Sequence, residues 1–388
     1  MQRSKTVDIL RALAVFLVLG RHMSAVEQGA SFLRCIAHNI TTIWVRGGWI
    51  GVDLFFVLSG FLVSGLLFRE HQKFGVISGK NFLIRRGLKI YPAFWLLIGI
   101  TAAVQLFQHT FRFKPYISEI LFIQNYFTSI WAHTWSLAVE EHFYISLLLY
   151  FVVLARSNTP NPFRQIPSTF VVVAGLSLAL RLATSYGSPH YSHRIHLFPS
   201  HLRMDSLFFG VLISYIYHHY PSRCITLATR YRLFAMLIGT LFLVPAFAFS
   251  LESTRFISTF GLTLFYLGSG LILIAALVTD VEQKRIMRMI AYVGSHSYSI
   301  YLWHIPIAEW LVPWAKASMG HYWNWGIYFI LYFLGSICSG IVMAVIIEFP
   351  ILKIRDRLFP SRANPLSTSE KPNNASHLIS DPLRVTER

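Results

Sequence analysis

Arg11 and His22 stand eleven residues apart in one long apolar run. Eleven steps of about 100° make three turns plus about 20°, so both side chains leave a helix on the same face, about 16 Å apart along its axis. An imidazole takes up a proton near neutral pH, and a guanidinium grips phosphate in a planar fork. A snorkelling arginine and an interfacial histidine would account for the same pair structurally. Other ionisable residues fall in or beside apolar runs: Asp53, the neighbours Glu140 and Glu141, Arg181, Arg203 with Asp205, and His304. Each is expensive in hydrocarbon, at least about 2.5 kcal/mol at its centre, so by default it faces a bundle interior and marks function. Read by depth, they gather at the outer level of His22, which implies a shared, water-accessible polar chamber. Arg85, Arg86 and Lys89 precede an apolar run on the inner side, where Arg11 also projects. Such a cluster is ordinarily an anchor; its chemical reading is a dock for phosphates. The set suits a charged donor arriving from the cytoplasm and an acceptor hydroxyl deprotonated by an imidazole, with a carboxylate fixing its tautomer.

The elements that must carry these groups are membrane helices. The chain is 54% hydrophobic, 15% aromatic and only 13% charged, whereas a soluble domain has about a quarter of its residues charged. Apolar runs long enough to cross a bilayer recur, and the weak alternation of a membrane β-barrel is absent. The expected fold is all-α, a polytopic bundle of about ten spans: 7–26, 47–68, 90–108, 135–155, 168–185, 202–219, 232–249, 258–278, 289–311 and 326–347. An aromatic segment at 116–131 is expected along the outer interface. The first run is longer than a signal-peptide core and is interrupted by Arg11 and Arg21, so it counts as a span. Residues 1–358 form the expected membrane domain, and 359–388 a polar, disordered cytoplasmic tail.

The net charge of +17 would suggest nucleic acid in a soluble protein. Here Lys and Arg gather in the segments on the side of both termini, which places the termini in the cytoplasm and leaves no nucleic-acid partner expected. Three cysteines, at 35, 224 and 338, are too scattered for a disulfide framework. His190, His193 and His196 lie three apart near His201, but no metal-binding signature supports them, and no metal is expected.

At these residues the sequence resembles the acyltransferase-3 family of integral membrane O-acyltransferases. Arg11 and His22 match its Arg, ten residues, His pattern. Gly51-Val52-Asp53-Leu54-Phe55-Phe56-Val57-Leu58-Ser59-Gly60 is a specific match in the second span. Arg85-Arg86-Gly87-Leu88-Lys89 resembles its basic loop, with Lys where Arg is common. Trp135-Ser136-Leu137-Ala138-Val139-Glu140-Glu141-His142 resembles its fourth-span motif, with His142 where Gln is common. Arg203-Met204-Asp205, the run Tyr298 to His304, and Glu348-Phe349-Pro350 are similar to its later motifs.

The resemblance implies a multi-pass enzyme of the bacterial cytoplasmic (inner) membrane that moves an acyl group, with acetyl expected, from cytoplasmic acetyl-CoA or another short acyl-CoA to a hydroxyl of a carbohydrate acceptor. Arg11, Arg85, Arg86 and Lys89 would meet the coenzyme A phosphates. His22 would be general base or transient acyl carrier, with Glu140, Glu141 and Asp53 in the catalytic set. Arg203, Asp205, His304, Trp135 and Ser136 would contact substrate. Many members carry a fused extracytoplasmic esterase-like domain; this sequence is expected to complete transfer in the membrane domain or through a separate partner. The rival reading is a transporter, or a translocator that hands the acyl group to a partner enzyme. Acceptor sugar, acyl chain and oligomeric state are left open.

Overall fold

The computed structural model describes residues 5–29, 31–157, 159–188, 190–281 and 284–363. Among them every regular element is a helix, with no strands. In order the α-helices are α1 Lys5–Arg21, α2 Phe32–Gly47, α3 Gly51–Phe74, α4 Gly79–Phe107, α5 Phe113–Ile120, α6 Trp135–Ala155, α7 Ile166–Gly187, α8 His193–His196 and α9 Met204–His219. There follow α10 Pro221–Arg230, α11 Arg232–Ala248, α12 Leu262–Leu277, α13 Arg285–Ser295, α14 Ser297–Pro306, α15 Val312–Met319, α16 Trp325–Met343 and α17 Phe349–Leu358.

Apolar residues on every side of these helices, rather than on one stripe, mark a bundle whose outer faces meet hydrocarbon. Val171 and Val172 on α7 are 68% and 67% exposed, and Leu233 on α11 is 76% exposed. Patches of that kind are not tolerated in water. The protein is a multi-pass membrane helix bundle. Six helices are long and apolar enough to span a bilayer, or seven if the pair α10–α11, bent by 76°, counts as one. That is fewer than the ten spans expected. Part of the difference is length: α1 and α9 hold 17 and 16 residues, at or just below the shortest usual span. Three single π-turns, at Ile257–Gly261, Ile307–Leu311 and Ala344–Glu348, interrupt the later helices.

The helices that position the polar groups pack in the interior. α3 lies along α9, and α1 is held against α3, α13 and α14. α3 and α9 cross so closely at Gly60 and Gly210 that a side chain on either would strike the opposing backbone at Leu207 or Val57. Small residues at one crossing let two backbones meet in the way common to membrane helices. α3 ends at Gly75, whose φ of 69° suits a residue without Cβ and whose N–H donates to His71 O.

Residues 359–363 of the expected tail lie against the bundle, where the Phe359 carbonyl accepts a hydrogen bond from Arg85. Arg362 reaches Glu70 at 3.0 Å. The rest of that tail lies outside the described residues.

Candidate active site

Two cavities penetrate the bundle, and Val52 and Tyr301 border both. One, of about 720 Å³, is a basic chamber. Seven Lys or Arg side chains line it against four Asp or Glu, and Arg11, Arg85, Arg86 and Lys89 are all among them. The helical arithmetic thus holds in part for α1 and α4: Arg11 from one and the three residues of the other converge on one space. Arg85 pairs with Asp356 at 2.9 Å. The Arg86 guanidinium stands 5.1 Å over the Tyr144 ring. Glu140 lines the same chamber and accepts a hydrogen bond from Tyr144 Oη at 2.6 Å, while Ser59 Oγ lies 2.5 Å from that hydroxyl.

The second cavity, of about 980 Å³, is an imidazole chamber. His22, His133 and His193 line it with Arg21, Arg194 and Arg203, and none of its lining residues is a carboxylate. His22 sits one residue past the end of α1 and is exposed into this space. Its ring neighbour is His304, 5.1 Å away between ring centres. Trp135 also lines this chamber, stacked on Phe198 at 4.9 Å.

The division between the chambers is made of hydrogen-bonded side chains. Tyr301 Oη donates to His133 O at 2.7 Å and stands 2.7 Å from Ser136 Oγ. Ser136 therefore supports the septum, with Trp135 on one side of it and Glu140 on the other.

This settles where the expected residues stand. The structure brings Glu140 to the basic chamber and turns Glu141 towards Tyr91, whose hydroxyl donates to it at 2.9 Å. Neither is brought to His22. The reason is the turn at Ala132–Thr134, which starts α6 level with the septum; Glu140 lies five residues, or about 7.5 Å, further along the axis than Trp135. Asp53 is fully buried and pairs with Arg203 at 2.5 Å. Asp205, equally buried, pairs with Arg181. These two pairs tie α3, α7 and the start of α9 together. A buried pair is costly to break from one side, about 3–5 kcal/mol, so both act first as joints. Arg203 keeps Nε and Nη1 without a hydrogen-bond partner while lining the imidazole chamber.

Three groups were not singled out from sequence. Tyr301 lies three residues before His304, and its place on the septum follows from that helical spacing. His133 lies in the turn before α6 and carries no sequence signal of its own. That turn is held by Glu119, which accepts from Ile130 N at 3.0 Å, Trp131 N at 3.3 Å and Thr134 Oγ1 at 2.9 Å. Burial pushes the Glu119 carboxyl up to about 7 against those donors. The third is Glu252, at the rim of the imidazole chamber, which meets Arg21 at 2.5 Å and His193 at 3.5 Å. His193 therefore faces a carboxylate, and His196 bonds Ser188 O at 3.0 Å.

A basic cavity and a carboxylate-free imidazole cavity separated by one tyrosine can hold an anionic molecule on one side and move a proton on the other. Comparison with known proteins gives this arrangement its context. Residues 5–345 match the family described as acyltransferase domain. The peptidoglycan O-acetyltransferase OatA of Listeria monocytogenes is 27% identical over 345 residues, covering 82% of this chain and 51% of the relative. The O-acetyltransferase OatA of Staphylococcus aureus is 28% identical over 305 residues, covering 70% of this chain and 48% of the relative. The chain spans about half the length of these curated relatives. No solved structure matches it.

Proposed function

This chain belongs to the acyltransferase-3 family, and we propose on that premise that it is a membrane O-acetyltransferase, moving acetyl from cytoplasmic acetyl-CoA to a hydroxyl of a cell-surface or lipid-linked glycan. The observation that carries the reading is the pair of chambers of unlike chemistry meeting at Tyr301 and Val52. The relatives named for O-acetyl transfer support the group and the kind of acceptor.

In this reading the basic chamber takes the donor. Its 720 Å³ lies within the roughly 300–1,000 Å³ usual for ligand pockets. Arg11, Arg85, Arg86 and Lys89 hold the coenzyme phosphates, where planar guanidinium forks pair with phosphate oxygens. The thioester end points to the septum. The glycan hydroxyl enters the imidazole chamber, and His22 takes its proton as the alkoxide oxygen attacks the thioester carbonyl. The C–S bond breaks, the C–O bond forms, and the proton leaves with the thiol. With His22 as acyl carrier the same bonds change in two steps. The basic chamber faces the cytoplasm because the positive residues gather there. That orientation belongs to a bacterial cytoplasmic (inner) membrane.

The test is reconstitution in vesicles with labelled acetyl-CoA and a soluble glycan. Wild type should acetylate the glycan. His22→Ala should insert and accumulate normally but lose transfer by about 10²–10⁴-fold, the usual contribution of a positioned base. Transfer at the wild-type rate in that variant removes His22 from the chemistry. A wild-type protein that moves a solute without consuming thioester is a transporter, and one that consumes thioester only when a second enzyme is added is a translocator.

A further inference from the structure

A base of this kind needs its second ring nitrogen held, and a carboxylate usually does so. Around His22 the carboxylates are committed elsewhere. Glu252 meets Arg21 and His193, Asp53 meets Arg203 and Asp205 meets Arg181, and Glu140 lines the other chamber. What stands beside His22 is a second imidazole.

The hydrogen-bond partner of that imidazole fixes the tautomer of the neutral ring. His304 Nδ1 lies 2.5 Å from the Tyr301 carbonyl. A carbonyl only accepts, so Nδ1 carries the proton and Nε2 carries a lone pair. Nε2 is buried, and no hydrogen-bond partner reaches it. His133 repeats the arrangement from the opposite nitrogen: Nε2 lies 3.2 Å from Leu302 O, which leaves Nδ1 as a buried lone pair without a partner. The His133 and His304 ring centres are 5.0 Å apart. Two neutral rings are thus locked by carbonyls of one helix, α14, so that each offers an acceptor and neither offers a donor to the space between.

A bare buried acceptor is costly, about 1–3 kcal/mol, and the group next to His304 that can supply a proton to it is His22. The two ring centres are 5.1 Å apart with the planes tilted by 56°, so His304 Nε2 stands open beside the His22 ring, and a turn of that ring, which is exposed into the chamber, closes the pair to hydrogen-bond distance. We propose that His304 is the positioning residue of His22: its Nε2 accepts the His22 N–H, so that the other His22 nitrogen presents its lone pair to the acceptor hydroxyl and the imidazolium formed keeps a partner. His133 completes the wall behind them. An uncharged acceptor does this in place of a carboxylate, which keeps the pair free of a fixed negative charge facing the incoming acyl carbonyl.

This inference rests on His22 acting as the base. The other titratable or charged groups on the same chamber are Arg21 of α1, His133 of the turn before α6, Tyr191 just before α8, His193 and Arg194 of α8, Arg203 at the start of α9 and Tyr301 of α14, with Glu252 at the rim on Arg21 and His193. The experiment measures kcat, KM for acetyl-CoA and the pH profile of transfer in vesicles for wild type, His22→Ala, His133→Ala, His304→Ala and His304→Gln. His304→Ala should lower kcat by about 10²-fold, at the lower end of a base's contribution, with KM for acetyl-CoA unchanged. Its acidic limb should move to lower pH, because an imidazolium without an acceptor loses its proton more readily. His304→Gln, whose amide oxygen can accept, should recover most of the rate and of the profile. Wild-type kcat and profile in His304→Ala overturn the assignment, and so does a loss that Gln does not relieve, which would mark a packing role. A shifted profile in His133→Ala instead moves the role to His133 and also overturns it. Activity retained in His22→Ala strikes the reading of the base itself, a distinct failure.

Discussion

The two chambers differ in how they treat charge. In the basic chamber, charge is abundant and remains ionic: arginines from α1 and α4 converge with acidic residues at their edge, and the chain's own Asp356 and Phe359 carbonyl already occupy Arg85. In the imidazole chamber, three histidines cluster with no lining carboxylate; one of them, His133, and the adjoining His304 are each held in one tautomer by a backbone carbonyl. A site for a polyanion needs long-range attraction that survives many geometries. A site for moving one proton needs a single fixed hydrogen-bond direction and little net charge. Tyr301 lets both exist a few ångströms apart, because its hydroxyl and Ser136 close the wall between them with neutral groups.

If the basic chamber handles only the donor, damage there should appear in donor affinity alone. The double variant Arg11→Ala, Arg86→Ala removes two cations from its lining. Hydrogen bonds to charged groups contribute about 1.5–3 kcal/mol each, so acetyl-CoA should bind about 10²-fold more weakly or worse. The acidic limb of the transfer profile should stay where it is. Binding of labelled acetyl-CoA to purified protein checks the first part. Unchanged affinity would remove the donor from this chamber, and a moved pH limb would show that the chambers are not chemically separate.

A smaller effect sharpens the same contrast from the other side. Asp356 is 55% exposed and lies 2.9 Å from Arg85, where an incoming phosphate would compete with it. Such exposed pairs are worth about 0–1 kcal/mol. Asp356→Asn should therefore tighten acetyl-CoA binding by up to about fivefold in the same binding assay. Weaker binding instead would mean that Asp356 holds Arg85 ready rather than occupied.

How much of this was legible beforehand follows what each signal measures. Hydropathy reported membrane helices, and the eleven-residue spacing put Arg11 and His22 on one face; the structure sends them into two adjoining cavities along α1. Hydropathy does not tell protein from lipid around a helix: α1 and α9, of 17 and 16 residues, carry the apolar signal of a span at the short end of the length that crosses a bilayer. Periodicity gives the face of a side chain but not its neighbour. Glu140 was therefore assigned to the level of His22, when the turn at 132–134 carries it past the septum. His133 was invisible because its role depends on a carbonyl 169 residues away. Glu119 was invisible for a like reason, since its three donors come from a turn that no local pattern predicts.

The smallest effect tests the rim of the imidazole chamber. Glu252 lies outside the spans, between α11 and the following π-turn. Hydrogen bonds from His193, then from Arg21 and Ser250, hold its carboxyl well below the usual range. A group whose folded pKa is depressed contributes stability above its unfolded pKa, about 4.3, and loses it as pH falls through the folded value. Glu252 is 42% exposed, so the contribution at neutral pH should be no more than about 1 kcal/mol. Glu252→Gln in detergent should thus melt slightly below wild type at a gap that is constant from about pH 8 to pH 5 and narrows below about pH 4. Transfer should fall no more than a few-fold, because Glu252 sits at the rim and bonds Arg21 and His193 rather than His22 or His304. A gap that does not narrow as pH falls below about 4 would show that the Glu252 carboxylate contributes nothing to stability through its charge, and that the rim holds its shape by packing alone.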